Sequence, residues 1–470
     1  MLRLALLVCL LAAACKGDKP SPSKQPSGGS QAPAPVAAST CGKAVAKGPI
    51  AWFEDDYAAA LACAKEQKKP LVIDMWAPWC HTCISMQTTV FLDPSLKEIA
   101  DKYVWVALDT DREENAAAVG KLSRSAMPTF YVIGPDEAVL SRFVGAATVA
   151  QFKEFLDAGT RAMIGGTDAG DAHLTTAQRA LAKGDLESAE SELVAALETA
   201  PTAWIRRQEA IYTLQMTKQK RGDTKGCVDL SEQYMPQVGQ TAIATNFWAA
   251  AFECAGQLAK DAKGEAARAA KVREDAVKRL AAVLDDQEAP LSVDDRVEGL
   301  GYLRDAQDEL GKKAEAKATA ERAKKIVDDA TANAKTPFEK MTFIWPRADI
   351  YAYLGKPLDL VADYEALAAQ LPKEYDPPAR LGWLYMKAGK LAEAATWTDK
   401  AIALAYGPRK ARVLAQRAEI AAAAKDRDAE KKYRTEVVKL WESLPEGQKS
   451  ADSLAKAQAA LAAIDAPEKK

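Results

Sequence analysis

Residues 70 to 88 limit the fold more sharply than any other stretch of this chain. Pro70-Leu-Val-Ile-Asp-Met75 is an apolar, β-prone run that reads as a buried strand, and Cys80-His-Thr-Cys83 follows at the start of a helical pattern. Two cysteines at i and i+3 lie one helical turn apart, close enough to form and break a disulfide without moving the backbone. A strand that delivers Cys80 to a helix N-terminus also sets it among unpaired N–H groups at the positive end of the macrodipole. Both favour a thiolate over a thiol. A reactive thiolate with a resolving partner one turn away suffices for thiol–disulfide exchange. From spacing alone, a permanent structural disulfide and half of a zinc site also stand open. No second C-x-x-C and no H-x-x-H occurs, and the chain has two histidines, His81 and His173.

Trp76-Ala-Pro-Trp79-Cys80-His81-Thr-Cys83 resembles the W-x-x-W-C-x-x-C active site of thioredoxin-like proteins. The following Val90-Phe-Leu-Asp-Pro94 is similar to the C-terminal reductase domain of DsbD-type thiol:disulfide interchange proteins. The resemblance implies an α/β domain over residues 48–160, a central mixed sheet flanked by helices. It implies that Cys80 attacks and Cys83 resolves, and that Asp74 behind them handles the proton of Cys83. It makes Ala126-Met127-Pro128-Thr129 a cis-proline loop, with Met127 pairing to an extended substrate segment and Trp79 and His81 beside it. A protonated His81 would stabilise the Cys80 thiolate and raise the redox potential. Many thioredoxins carry a lysine on the next strand, whereas Val104–Asp109 offers none, so proton handling is expected to lean on Asp74 alone. Read without the resemblance, Asp74 is a satisfied core carboxylate, Pro128 a strand-edge proline and His81 an exposed spacer.

Met1-Leu-Arg3 followed by the apolar run Leu4–Ala14 reads as a signal peptide over residues 1–14, too short to span a bilayer. Leu11-Ala-Ala-Ala-Cys15 resembles a bacterial lipobox, which implies lipid attachment at Cys15 in a periplasm-facing lipoprotein. No aspartate follows Cys15, which by the usual sorting rule favours the outer membrane; cleavage without lipidation is the alternative. Residues 15–47, rich in Pro, Ser and Ala, read as a disordered tether. Of eight cysteines, Cys9 leaves with the signal, and Cys41, Cys63, Cys227 and Cys254 remain besides the redox pair and Cys15. In an oxidising compartment, Cys41–Cys63 and Cys227–Cys254 are the expected staples. The alternative for the first is a free linker thiol and a small buried core residue.

From about residue 165 the composition shifts to Ala, Leu, Lys, Glu and Gln with helical patterning, over 165–465. Ala182-Lys-Gly184-Asp-Leu-Glu-Ser-Ala189 and Leu381-Gly382-Trp-Leu-Tyr385-Met-Lys-Ala-Gly389 resemble pieces of tetratricopeptide repeats, with weaker copies centred on Gly222, Gly311, Gly355 and Lys425. The expectation is an all-α solenoid of stacked hairpins, since no single hairpin buries its own apolar face. Trp204, Trp248, Trp345, Trp383 and Trp397 are candidates for a partner-binding concave face, although each also suits a core.

The formal net charge of -2, with no basic stripe and no glycine-rich phosphate loop, argues against nucleic acid and nucleotides. No cofactor or metal is expected. The sequence reads as a membrane-anchored periplasmic thiol–disulfide oxidoreductase acting as a reductase on cysteine-bearing protein clients. A DsbD-type membrane protein would donate electrons, and the repeats would hold a partner or client. The alternatives are an envelope scaffold with the thioredoxin-like fold as a docking module, and a disulfide oxidase or isomerase.

Overall fold

A computed structural model describes residues 40–122, 126–166 and 169–465. Cys15, the signal segment and residues 15–39 of the expected tether lie outside the described residues. The last part of that tether is folded: Thr40–Lys43 forms a 3₁₀ turn and Val45–Lys47 a strand. Composition misses this because the strand's side chains are exposed and its pairing draws only on backbone groups, helped by Lys43 on Asp56 at 2.9 Å.

The N-terminal domain is a six-stranded mixed sheet in the order β1-β2-β4-β3-β5-β6, with β1 (Val45–Lys47), β2 (Ile50–Glu54), β3 (Leu71–Trp76), β4 (Val104–Asp109), β5 (Thr129–Ile133) and β6 (Val139–Val144). β4 lies parallel to both β2 and β3, and the pairs β1/β2, β3/β5 and β5/β6 are antiparallel. Side chains alternate across the sheet. Leu71, Ile73 and Met75 of β3 and Val104, Val106 and Leu108 of β4 pack on one face with α1 (Tyr57–Gln67). Val72, Trp105 and Ala107 pack on the other, with Met86 of α2 (His81–Thr88) and Phe152 and Phe155 further along. Because both faces are covered, the central strands read as continuous apolar runs rather than alternating ones. The remaining helices of this domain are α3 (Lys97–Ala100), α4 (Ala116–Leu122) and α5 (Val149–Met163), the last opened by a Thr148/Gln151 capping box.

Fifteen helices follow among the described residues: α6 (Ala169–Ala182), α7 (Leu186–Thr199), α8 (Arg207–Lys220), α9 (Thr224–Tyr234), α10 (Ala242–Asp261), α11 (Ala266–Asp285), α12 (Val293–Glu309), α13 (Lys313–Asn333), α14 (Pro337–Tyr353), α15 (Val361–Gln370), α16 (Asp376–Lys387), α17 (Leu391–Leu404), α18 (Gly407–Ala423), α19 (Arg427–Ser443) and α20 (Ala451–Asp465). Successive pairs from α6/α7 to α18/α19 pack as hairpins, each against the next, and α20 closes the row on α19. The repeated Gly-Asp signal has a local cause. Gly184 and Gly222 end one helix at positive φ, and Asp185 and Asp223 cap the next, accepting from the N–H of Ser188 and Gly226. Lys425 takes the same left-handed position at φ 59°, at a cost of roughly 1 kcal/mol that glycine would not incur. Disulfides join Cys41 to Cys63 and Cys227 to Cys254, with Cα–Cα distances of 5.0 and 6.2 Å.

The helical row packs onto the sheet domain through α2. Met86 of this eight-residue helix faces the sheet, while Ile84 is buried among Met341, Ile344 and Tyr351 of α14. Further along, Gln448 Nε2 donates to the carbonyls of Thr110 and Arg112 at 2.9 and 2.8 Å. Arg206, paired with Glu209 at 2.9 Å, donates to the Arg142 carbonyl of β6 at 2.7 Å. Burying these groups without partners would cost about 1–3 kcal/mol each, so the contacts hold the two parts in one register.

Candidate active site

β3 ends at Trp76, and the chain turns through Ala77-Pro-Trp79 so that Cys80 becomes the N-cap of α2. Its sulfur accepts from the Cys83 N–H at 3.1 Å, one of the donors a helix start leaves unpaired. Cys80 and Cys83 are joined as a disulfide with Cα atoms 5.2 Å apart. The two sulfurs are not equivalent: Cys80 is 5% exposed and lines a cleft, whereas Cys83 is fully buried. An incoming thiol or disulfide therefore meets Cys80, and Cys83 acts from behind. Met127 packs against this pair, and the Met127–Pro128 bond is cis.

Asp74 lies in the middle of β3, 1% exposed. One oxygen accepts from Gln87 Nε2 of α2 at 3.1 Å, and the other has no partner among the described residues. Burial pushes its pKa up to about 7, opposed by the Gln87 hydrogen bond and by Lys47. A carboxyl titrating near neutrality and hydrogen-bonded to Gln87, one helical turn beyond Cys83 on α2, can take and return a proton. It borders a cavity of about 30 Å³, room for one or two water molecules, lined also by Lys47, Glu54 and Gln87. Lys47 and Glu54 pair at 2.7 Å on the adjacent β1 and β2. β4 supplies no lysine, while Lys47 of the edge strand, a residue that sequence places in the tether, lines the same cavity as Asp74.

Trp79 and His81 are fixed by the other half of the molecule. Trp79 Nε1 donates to Asp111 at 2.6 Å, and the Arg409 guanidinium of α18 lies 4.9 Å from its ring centroid. Tyr375 also reaches Asp111, and Tyr406 donates to Asp109. His81 Nδ1 meets both oxygens of Asp294 on α12, at 2.8 and 3.0 Å, and Asp294 is itself buried. Burial alone would lower the imidazole pKa. The Asp294 carboxylate outweighs it, Glu298 adds to it and Arg380 opposes it, leaving the value raised to about 9. His81 is thus an imidazolium at neutral pH, rather than an exposed spacer.

The cleft above Cys80 has a volume of about 740 Å³. Its near wall holds Trp79, His81 and Met127, and its far wall holds Trp345 of α14, Arg380 and Trp383 of α16, and Arg412 of α18. Of the tryptophans offered as concave-face candidates, Trp345 and Trp383 line this cleft, edge to face at 5.2 Å, while Trp204 and Trp248 are core. Sequence reasoning missed Asp294, Glu298, Asp111, Lys47 and the arginines. No local pattern marks them, because their partners are distant in sequence: 213 residues separate Asp294 from His81, and 264 separate Asp111 from Tyr375.

A thioredoxin-like family profile matches residues 52–135. A thioredoxin of Buchnera aphidicola subsp. Baizongia pistaciae is 31% identical over 96 residues, 20% of this chain and 80% of that protein. A thioredoxin H-type of Brassica campestris is 35% identical over 94 residues, 20% of this chain and 71% of that one. Among solved structures, a tetratricopeptide repeat protein from Parabacteroides merdae is similar at 14% identity and a TM-score of 0.40, covering 63% of this chain and 99% of that one. With the cysteine pair at a helix start, the cis-proline loop against it and a buried aspartate on the preceding strand, the chain belongs, through its N-terminal domain, to the thioredoxin family.

Proposed function

We propose that this protein is a membrane-anchored periplasmic thiol–disulfide oxidoreductase that reduces protein clients through Cys80 and Cys83. The observation that carries the reading is the difference between the two sulfurs: one lining a cleft and capping a helix, the other fully buried. In the reductive direction the Cys80 thiolate attacks a client disulfide and one client sulfur leaves as a thiolate. Cys83, its proton passed to Asp74, then attacks Cys80 and releases the second client thiolate. Both electrons lost by the cysteine pair reside in the client's two thiols, and a DsbD-type membrane donor would restore the dithiol. The disulfides Cys41–Cys63 and Cys227–Cys254 suit an oxidising compartment, and Cys15 after the apolar leader suits a lipid anchor. The helical row would serve as the partner- or client-binding half.

One observation favours the opposite direction. An imidazolium next to Cys80 in the chain would favour the reduced form and make a stronger oxidant, opposed by the Asp294 carboxylate that it meets at 2.8 Å. The equilibrium redox potential of the full chain separates the two. A value near about -270 mV supports the reductase, and one near about -120 mV makes the protein an oxidant. A pair reduced only far below both would be structural, and the redox reading would fall.

A further inference from the structure

We infer that the helical domain forms the client-binding half of the active-site cleft, and that its occupant is an extended cysteine-bearing polypeptide segment with acidic side chains placed to meet Arg412 of α18. The inference rests on the redox reading and goes beyond it by naming what Cys80 meets. Cys80 is 5% exposed and lines a cleft walled opposite by α14, α16 and α18, which suits an extended segment better than the face of a rigid globular client.

The cleft adjoins a second cavity of about 490 Å³, and Trp79, Arg409 and Arg412 line both. That cavity in turn shares Arg412, Trp441 and Ser453 with a third of about 330 Å³ between α18, α19 and α20. The second cavity carries Asp111 and Glu446 beside Arg409, Arg412 and Lys449. Near Cys80 the lining includes Glu298 and Glu419 beside its arginines. The third section is lined by Arg412, Arg434 and Lys456 and by no acidic residue. Arg434 is satisfied by Glu430 at 2.7 Å, and Arg380 and Arg409 share the single carboxylate of Asp376. Arg412 and Lys456 are exposed and make no ion pair among the described residues. Arg412, an unanswered cation in the lining of the cleft that holds Cys80, and Lys456 in the third cavity, which Arg412 also lines, favour an anionic chain. At the other end, Trp345 and Trp383 offer an aromatic floor for an apolar neighbour of the client cysteine.

The test uses the full chain with Cys83→Ala, pre-reduced, and two peptides identical except for acidic or basic residues flanking one cysteine. That cysteine is capped as a mixed disulfide with 2-nitro-5-thiobenzoate. The Cys80 thiolate attacks the peptide sulfur, the capped S–S bond breaks, and the coloured thiolate leaves with the electron pair, so no further oxidant or reductant is needed. The acidic peptide is expected to react at least tenfold faster at low salt, with the preference shrinking as salt rises. Arg412→Glu should cut it below threefold, and Lys317→Glu, an exposed change on α13 away from the cleft, should not. Anisotropy with serine in place of the peptide cysteine should give the same ranking without chemistry. Equal rates for the two peptides, or a preference untouched by Arg412→Glu, would overturn the inference while leaving the redox reading standing. Failure of Cys80 to exchange with either peptide and with neutral 2-hydroxyethyl disulfide would sink the redox reading itself, and the client assignment with it.

Discussion

Replacing Asp74 by Asn should make the folded protein more stable at alkaline pH than at acid pH, relative to the parent chain. An aspartate whose pKa rises from 3.8 to about 7 on folding holds its proton more tightly in the folded state. Its contribution is therefore fully present below pH 3.8 and is lost as pH climbs towards 7. Linkage puts the resulting penalty on the folded state at about 4 kcal/mol at pH 8 and about 1.5 kcal/mol at pH 5. Asn removes the penalty at both, and it keeps an oxygen to accept from Gln87. It also introduces an amide donor where Asp74 already has an oxygen without a partner, which costs about 1–3 kcal/mol at either pH. That cost cancels in the difference between the two pH values. The predicted quantity is therefore a gain at pH 8 larger than at pH 5 by about 2–3 kcal/mol. Urea unfolding of the oxidised full chain, followed by a probe of the sheet domain, measures it. Equal effects of the substitution at pH 5 and pH 8 would refute the view that burial leaves this carboxyl titrating near neutrality.

Asp294→Asn should lower the His81 titration by more than one pH unit from its value of about 9, read by NMR in a chain with two histidines; an unmoved titration would mean that Asp294 does not hold the imidazolium. Ile84→Ala, which empties a site closed by Met341, Ile344 and Tyr351, should cost about 2–5 kcal/mol in denaturant unfolding, and should loosen α2 from α14 as seen by faster amide exchange in α2. Replacing Cys227 and Cys254 together by Ala opens a loop of 27 residues, and the helical row should lose about 3.5 kcal/mol, checked by its urea midpoint. Lys47→Met should slow release of the mixed disulfide near neutral pH about tenfold while leaving the attack by Cys80 unchanged, which single-turnover kinetics separate.

What the sequence made legible follows the range of the forces involved. The strand, the cysteine spacing and the helix start lie within twenty residues, and local periodicity and capping chemistry specify them together. The Gly-Asp turns of the helical row are similar: positive φ and an N-cap are demands on adjacent residues, and they recur wherever the turn does. β1 escaped because an exposed edge strand needs no apolar pattern, only a neighbour to pair with. His81 was ambiguous for a different reason. An imidazole between two cysteines is a spacer or a cation depending on what faces it, and Asp294 stands 213 residues further on. Trp345 and Trp383 carried no mark separating a cleft wall from a core, since both environments select the same side chain.

The same long-range contacts change what the thioredoxin-like domain can do. Trp79, Asp111 and His81, which would border an open active site, are each engaged by α12, α16 or α18, and α2 is buried on two sides. A cysteine pair held this way has little freedom to adapt to varied folded surfaces, because moving α2 would expose Ile84 and unpair Asp294 at once. The helices that restrict access also supply new surface beside Cys80: an aromatic pair at one end and exposed cations at the other. Selectivity in such an arrangement lies less in the reactivity of the thiolate than in which segments can enter the cleft. That is why substitutions on α18, far from Cys80 in sequence, should change the choice of client more than the redox potential.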